Sequence, residues 1–451
     1  MAIPGYRLAA RLVNRLPLGH GKLAQGIAGR RQSEQRWVDW ASRERTDTPL
    51  VWVHGASVGE CLAADSIIAR LRRAIPRIQI ARSFSSPSAA TWAGPFAGDV
   101  CDFVPPDEPR SIRRVLDALR PSLLLFSRGD LWPELVTQSA SHGIPVAVAG
   151  AAVRPSSWRL HPAIRTVFRQ LYDTIAWVGA VSEADATRWT QLGVPPNRVS
   201  VTGDPRHDQV LERIPRLQDV KSVMDWCSGG LVIVAGSTHP RDERVVLGAF
   251  AAVGEASAGV RLIVVPHDPG PQRIARVMHV AAHYGMAPAL WTGAASVIED
   301  SGCVVVSALG ALADLYALAH VAYVGGGLER GKLHATAEAA AYGIPVVVGP
   351  HYSNAADAVA LVERGGATVL PRKSAAEHLC QTWLEWIRQP DRRIAAGLIA
   401  RRTLQQGAAA STSRALVPLI RPSARCPADP ACLAPPPKPT LRAAGESPRR
   451  R

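Results

Sequence analysis

The sequence predicts an α/β protein made of two Rossmann-like, doubly wound domains that face each other across a cleft. Three observations carry this. Short continuous apolar runs alternate with helical patterns along the whole chain. The opening LVWVHGASVGE (residues 50–60) has a counterpart in LVIVAGSTHPRDE (residues 231–243), each a buried strand, a Gly/Ser turn and a helix start with a carboxylate nearby. At 451 residues the chain is also too long for one ordinary domain and comfortable for two.

The apolar runs lie at 50–53, 122–126, 146–149, 176–181, 231–235, 262–265, 304–306, 321–324 and 345–348. Residues 57–74 and 335–342 read as helices between them. Strands apolar on both faces and separated by helices imply parallel sheets covered on both sides. The expected division is a basic amphipathic segment at 1–20, a first domain at 21–204, a polar linker at 205–229, a second domain at 230–420, and a tail at 421–451. That tail is rich in Pro, Ala and Arg and reads as disordered. Two such domains leave their strand C-termini facing one crevice, where open α/β sheets bind ligands. This is the GT-B arrangement, which does not by itself name an activity.

Hydrophobic residues make up 47% and charged residues 20%, enough for a real core in each half. The net charge of +15 points to anionic partners: nucleic acid, anionic lipid or phosphorylated small molecules. The seven cysteines form no CxxC pair, and no His cluster has zinc-type spacing, so free thiols and no metal site are expected. No apolar run is long enough to cross a membrane. Arg7, Arg11 and Arg15 recur every four residues beside Leu8, Leu12, Val13 and Leu16. This basic amphipathic helix suits an anionic membrane surface, or alternatively packs on the protein body.

Three groups of residues could carry chemistry. In VAYVGGGLERGKLHATAEAAAYGIPVVVGPHYSN a strand ends in Gly325, Gly326 and Gly327, and a helix is expected to begin near His334. Glycines there would let a ligand reach the backbone, and a helix start offers N–H groups to a phosphate. Glu338, one helical turn from His334, could accept ribose hydroxyls. The alternative is a tight turn and an exposed helix face. In the first domain Ser57, Gly59 and Glu60 follow a buried strand; Glu60 either favours the helix dipole or takes a proton from an attacking hydroxyl. The third group comprises Ser237, Thr238, Arg206, Ser83, Ser86, Arg128 and Asp130, all on loops after strands.

At these motifs the sequence resembles the 3-deoxy-D-manno-octulosonic acid (Kdo) transferases, which attach Kdo to lipid A precursor. The resemblance runs from about residue 21 to 366 through WVHGASVGE, SFSSPSAA, LWPEL, VTGDPRHD, AGSTHPRDE, VVPHDP and LHATAEAAAYGIPVVVGPHYSN. It implies a GT-B fold, CMP-Kdo as donor, inversion at the anomeric carbon, and no cofactor or metal. Glu60 matches the family's general base. Arg206, Ser237, Thr238, His267, Gly326, Gly327, His334, Glu338 and Asn354 fall on the donor side. Ser57, Gly59, Ser83, Ser86, Arg128 and Asp130 fall on the acceptor side. The sequence departs from the family at Arg206 (usually lysine), His267 (in a motif usually written PRH), Ala335 (usually asparagine) and Ala311 (often glutamate).

The implied function is an inverting transfer of Kdo from CMP-Kdo to lipid A precursor in lipopolysaccharide biosynthesis. Partners would be CMP-Kdo, lipid A precursor and an anionic membrane surface, not nucleic acid, with the protein peripheral on the cytoplasmic face of a bacterial inner membrane. A nucleotide-sugar 2-epimerase on the same fold and a non-catalytic lipid-binding relative are the rival readings. Oligomeric state is not legible.

Overall fold

The computed structural model describes residues 5–15, 21–91, 96–257, 259–296, 298 and 301–420. The expected tail, and the flanks of the N-terminal helix at 1–4 and 16–20, lie outside the described residues. The first sheet comprises β1 (Leu50–His54), β2 (Gln79–Phe84), β3 (Val100–Phe103), β4 (Leu123–Ser127), β5 (Val146–Ala151), β6 (Trp177–Ala180) and β7 (Val199–Val201). The second comprises β8 (Leu231–Thr238), β9 (Val260–Pro266), β10 (Ala289–Trp291), β11 (Cys303–Val306), β12 (Val321–Val324), β13 (Val346–Val348) and β14 (Ala367–Val369). Their orders are β3-β2-β1-β4-β5-β6-β7 and β10-β11-β9-β8-β12-β13-β14. Every pairing between them is parallel. The short strands β3, β7, β10 and β14, all toward sheet edges, carry too few apolar residues to stand out in the sequence.

Alternation along each central strand produces two cores per sheet, because successive side chains leave opposite faces. Leu50 and Trp52 of β1 join Trp37, Leu116 and Leu135 on one face. Val51 and Val53 join Ile67, Ile68 and Leu71 on the other. In β8, Ile233 and Ala235 pack with Val246, Phe250 and Trp383, while Val232 and Val234 pack with Val220 and Tyr316. The helices start and stop on local chemistry. Helix Glu183–Leu192 begins where the Ser182 hydroxyl accepts the Asp185 N–H at 3.2 Å, and ends at Gly193 in the left-handed region.

The stretch expected as a polar linker contains helix Pro205–Glu212 and helix Lys221–Trp226. The first of these lies between the halves. The Ser66 hydroxyl donates to the Pro205 carbonyl on one side, and Val210 and Leu211 pack against Leu361, Ala400 and Leu404 on the other. Residues 408–420, expected in the second domain, instead return to the first. Ala409, Leu416 and Ile420 lie in the core beneath β1. Both Asp208 carboxylate oxygens accept backbone N–H groups at the start of helix Ala408–Leu416, from Gly407 (2.7 Å) and Ala409 (2.8 Å). A buried carboxylate capping a helix start explains the return, since it satisfies N–H groups that the helix cannot.

Candidate functional site

Strand order reverses between β1 and β4 in the first sheet and between β8 and β12 in the second. Crevices open at the C-terminal ends of strands at such points. Most of the chemically competent residues lie on the loops around these two crevices.

In the first crevice, Gly55 follows β1 where a Cβ would meet the Cys61 nitrogen at 3.0 Å, so glycine lets the strand turn tightly into helix Val58–Ala74. Glu60 lies in the first turn of that helix, and its carboxylate accepts the Ala56 N–H at 2.6 Å. It therefore does what a helix-start carboxylate does, yet its pKa is raised. Burial is the main cause, opposed by the Ala56 N–H and the Arg128 charge and reinforced by Asp130. Arg128 follows β4 with φ of 71°, a conformation that side-chain-bearing residues rarely adopt, held by its N–H donating to the Ala149 carbonyl at 2.7 Å.

Arg206 brings the second half to this group. Its guanidinium bonds the Asp204 carboxylate at 2.9 and 2.5 Å and reaches Asp357 of the second half at 3.3 Å. His207 Nδ1 accepts the Gln405 N–H at 3.1 Å, so its Nε2 carries the proton and donates to Asp357 at 3.0 Å. Burial opposes the charge of Arg206, but Asp204 and Asp357 outweigh it and raise its pKa; Glu60 adds to the effect. Burial likewise opposes the charge of Asp357, but His207 and Arg206 hold its pKa down at about 2. A charged chain of Glu60, Arg128, Asp204, Arg206 and Asp357 thus spans both halves.

At the second crevice three adjacent strands, β9, β8 and β12, each deliver one imidazole. His239 and His334 stack at 5.2 Å with their Nε2 atoms 2.9 Å apart, and His267 lies 4.1 Å from His334 and 5.4 Å from His239 by ring centroids. Among the described residues no group of His, Cys, Asp or Glu has the geometry to hold a metal ion. Burial, then the neighbouring His267 and His239, push the His334 pKa down to about 4.

The glycine triplet serves the protein's own packing. A Cβ on Gly325 would meet the Ser237 carbonyl at 2.4 Å, one on Gly326 the Lys332 carbonyl at 2.0 Å, and one on Gly327 the Gly349 nitrogen at 2.7 Å. Asp242 binds this loop to helix Pro240–Ala256. Its carboxylate accepts the N–H groups of His239 and Gly326 and the Tyr323 hydroxyl, at 2.8, 2.8 and 2.7 Å. The Gly326 amide is therefore committed internally.

Other expected positions divide. Ser57 and Gly59 are exposed at the first helix start, Ser86 caps the short helix Pro87–Ala90, and Asp130 is exposed after β4. Ser83 is fully buried: its hydroxyl oxygen accepts from the Trp52 indole at 2.9 Å and bonds His54 Nδ1 at 2.9 Å. Since His54 Nε2 accepts the Trp132 N–H at 3.1 Å, the ring proton sits on Nδ1, and burial pushes this imidazole down to about 3. Ser83 is thus part of the core and not open to an acceptor.

Ser237 adopts φ of 52° at the mouth of the second crevice. Thr238 is buried with its hydroxyl donating to Glu243 at 3.3 Å, so its side chain serves the fold. Asn354 is exposed. His334 is not helical; the following helix is only Ala337–Ala341, so Glu338 does not sit one helical turn above His334. Glu338 is half-buried, and its pKa is raised by burial, opposed by Arg213 and reinforced by Asp314.

A family model for 3-deoxy-D-manno-octulosonic-acid transferase (kdotransferase) matches residues 30–209. A Bordetella pertussis 3-deoxy-D-manno-octulosonic acid transferase is 29% identical over 376 residues, covering 79% of this chain and 84% of the relative. The Haemophilus influenzae enzyme of the same name is 24% identical over 311 residues, covering 67% and 71%. The chain is thus similar to Kdo transferases over most of its length, and its residues 30–209 match the family's domain. Among solved structures, UDP-GlcNAc 2-epimerase from Neisseria meningitidis bound to UDP-GlcNAc superposes with a TM-score of 0.60 at 14% identity, over 82% of this chain and all of that one. A Listeria monocytogenes enzyme described as a UDP-N-acetylglucosamine 2-epimerase gives 0.59 at 12% identity. These likenesses establish the two-sheet fold, not a substrate.

Sequence reasoning missed four residues of these crevices. Asp242 had a signal, since it stands three residues after His239 in GSTHPRD, the spacing of a carboxylate that caps a helix start. Asp357, His207 and Arg273 had none, because their partners lie far away in the chain: Asp357 meets His207, and Arg273 bonds Glu243 at 2.8 Å.

Proposed function

We propose that the protein transfers Kdo from CMP-Kdo to a lipid A precursor, with inversion at the anomeric carbon and no metal in any step. One observation carries the reading: Glu60, the carboxylate that matches the family's general base, is held by its loop in the first crevice near Arg128 with its proton affinity raised by burial. A carboxylate whose proton affinity is raised is a stronger base toward a hydroxyl. Glu60 takes the proton of the acceptor hydroxyl as its oxygen bonds the anomeric carbon. The bond from that carbon to the phosphate oxygen breaks, and CMP leaves with the electron pair. Ser237 and the start of helix Pro240–Ala256 at the second crevice would stabilise the departing phosphate, and Glu338 would meet the ribose.

Attachment to an anionic membrane surface belongs to the same proposal. Helix Tyr6–Arg15 is tied to the body by Tyr6 to Asp107 (2.6 Å), Arg7 to Glu134 (2.7 Å) and Asn14 to Glu108 (2.9 Å). It leaves Leu8, Leu12, Val13, Arg11 and Arg15 exposed. One face of the helix is thus engaged with the body, and the opposite face is the one this proposal assigns to the membrane. Arg7 belongs to the packed face, while Arg11 and Arg15 remain outward. Among the described residues no helix is long and apolar enough to cross a membrane.

Incubating the protein with radiolabelled CMP-Kdo and lipid A precursor, with products sized by mass, tests the reading. Label in a lipid product larger by one or more Kdo units supports it. Turnover of UDP-GlcNAc without any acceptor would favour the epimerase reading that the shared fold also permits, and inertness toward both donors would favour a non-catalytic relative.

A further inference from the structure

The histidine cluster is a richer device than the sequence motifs require. Its three rings come from three neighbouring strand ends, and the separation of 2.9 Å between the Nε2 atoms of His239 and His334 is a hydrogen-bond distance. One proton must lie between those two nitrogens, one donating and the other accepting. A second proton on that axis would set two N–H groups against each other, so the unliganded cluster resists charging.

The charged groups around it do not relieve this. On the helix that His239 caps, Asp242 already accepts three hydrogen bonds, and Arg241 is exposed and cationic. On the loop after β12, Glu329 is paired with Lys332 at 2.5 Å, although its carboxylate also feels His239 and Arg241. After β9, Asp268 is exposed beside His267. Arg273 pairs with Glu243 at 2.8 Å and donates to the Thr238 carbonyl at 3.3 Å. Three imidazoles at the mouth of a crevice, among carboxylates largely engaged elsewhere, suit an incoming anion.

We propose that His239, His267 and His334 form the phosphate cradle of the second crevice, and that a nucleotide phosphate binds there together with a proton taken up from solvent. The anion supplies the negative charge that lets the cluster carry an added proton, and the protonated rings present N–H donors to the phosphate oxygens. This rests on the donor reading above and deepens it. His239 becomes a ligand-binding residue, and donor affinity becomes coupled to pH. The sign follows from linkage. A group whose pKa is higher in the complex than in the free protein makes binding tighter as pH falls, until the free cluster itself protonates. For His334 that limit lies near its depressed value of about 4.

Calorimetric titration of the full-length protein with CMP at pH 7.5, in two buffers of unlike ionisation enthalpy, tests this. At that pH the phosphate is already mostly a dianion, its second pKa being about 6, so the ligand itself has almost no proton to exchange. The expected result is net proton uptake on binding, with affinity gaining up to about tenfold per pH unit as pH is lowered from 8.5 to 7. In His267→Gln, at an exposed position, and in His334→Gln, the uptake should fall by at least about half. CMP binding with no proton uptake, or uptake undiminished in both variants, overturns the cradle and leaves the donor reading standing. Absence of CMP binding overturns both.

Discussion

Glu60 already serves the fold, and the proposed chemistry would give the same carboxylate a second use. Its bond to the Ala56 N–H is the local interaction that any helix-start carboxylate makes, worth about 0.3–1 kcal/mol. Its raised pKa, with Arg128 and Asp130 as its charged neighbours, comes from where the first sheet places that helix start. A group that only caps can be lost with little effect on rate, whereas a general base contributes roughly 10²- to 10⁴-fold. Glu60→Gln keeps the shape and an acceptor oxygen, so the variant should fold and bind CMP normally while transfer falls at least about a hundredfold. Near-normal transfer would remove Glu60 from the mechanism. The pH profile follows from the direction of the shift. A base must be unprotonated, so kcat/KM should fall on acidification through a pKa above the ordinary glutamate value of 4.5. An acid limb centred below 4.5 would contradict this. Arg206 fits the same view, since its charge is already met by Asp204 and Asp357, making it more a link between the halves than an open cation for phosphate.

Two local assemblies can be tested by substitution. The glycine loop after β12 depends on Asp242, which gathers two backbone N–H groups and the Tyr323 hydroxyl. Removing a partner from a buried donor costs about 1–3 kcal/mol for each group left unsatisfied. Asp242→Ala should therefore lower the melting temperature by at least about 5 °C, given about 2–4 °C per kcal/mol for a domain of 150–250 residues. Calorimetric melting checks it, and an unchanged transition would mean that the loop is held some other way. The N-terminal helix is the second assembly. Because Arg7 is engaged with Glu134 while Arg11 and Arg15 face outward, the double variant Arg11→Glu/Arg15→Glu removes outward charge and spares the tether. Binding to anionic vesicles should weaken severalfold and the wild-type binding should fall with salt, since screening acts over about 10 Å at 0.1 M. Equal vesicle sedimentation of both proteins would return the helix to a packing role.

Across the molecule, the halves are joined by more than a linker. Helix Pro205–Glu212 lies between them, Asp357 bonds His207 and Arg206 across the junction, and helix Ala408–Leu416 crosses back to the first core. If the second crevice takes the nucleotide, CMP should slow amide exchange in the loops after β8, β9 and β12 far more than in the loops after β1 and β4. Exchange measured with and without CMP reads this directly. Equal protection of the two halves, or stronger protection by UMP, would count against the donor assignment.

How much of this was legible before folding follows from the range of each interaction. The two-sheet fold was readable because a strand buried on both faces must be continuously apolar, as in 231–235 and 321–324, and because two strand–Gly/Ser–helix starts recur 181 residues apart, at Leu50 and Leu231. Glu60 and the glycine triplet were readable as positions because turns and helix starts are local. Ser83 and Thr238 were misread because burial depends on what lies above a strand end, not on the residues beside it in the chain. The return of residues 408–420 rests on Asp208, about two hundred residues earlier, and the imidazole cluster unites His239, His267 and His334 from three separate loops. Local order in the chain encodes elements and their turns. Burial, charge pairing and the meeting of distant side chains arise only when those elements pack, because hydrogen bonds and desolvation act over a few ångströms of space and take no account of separation along the sequence.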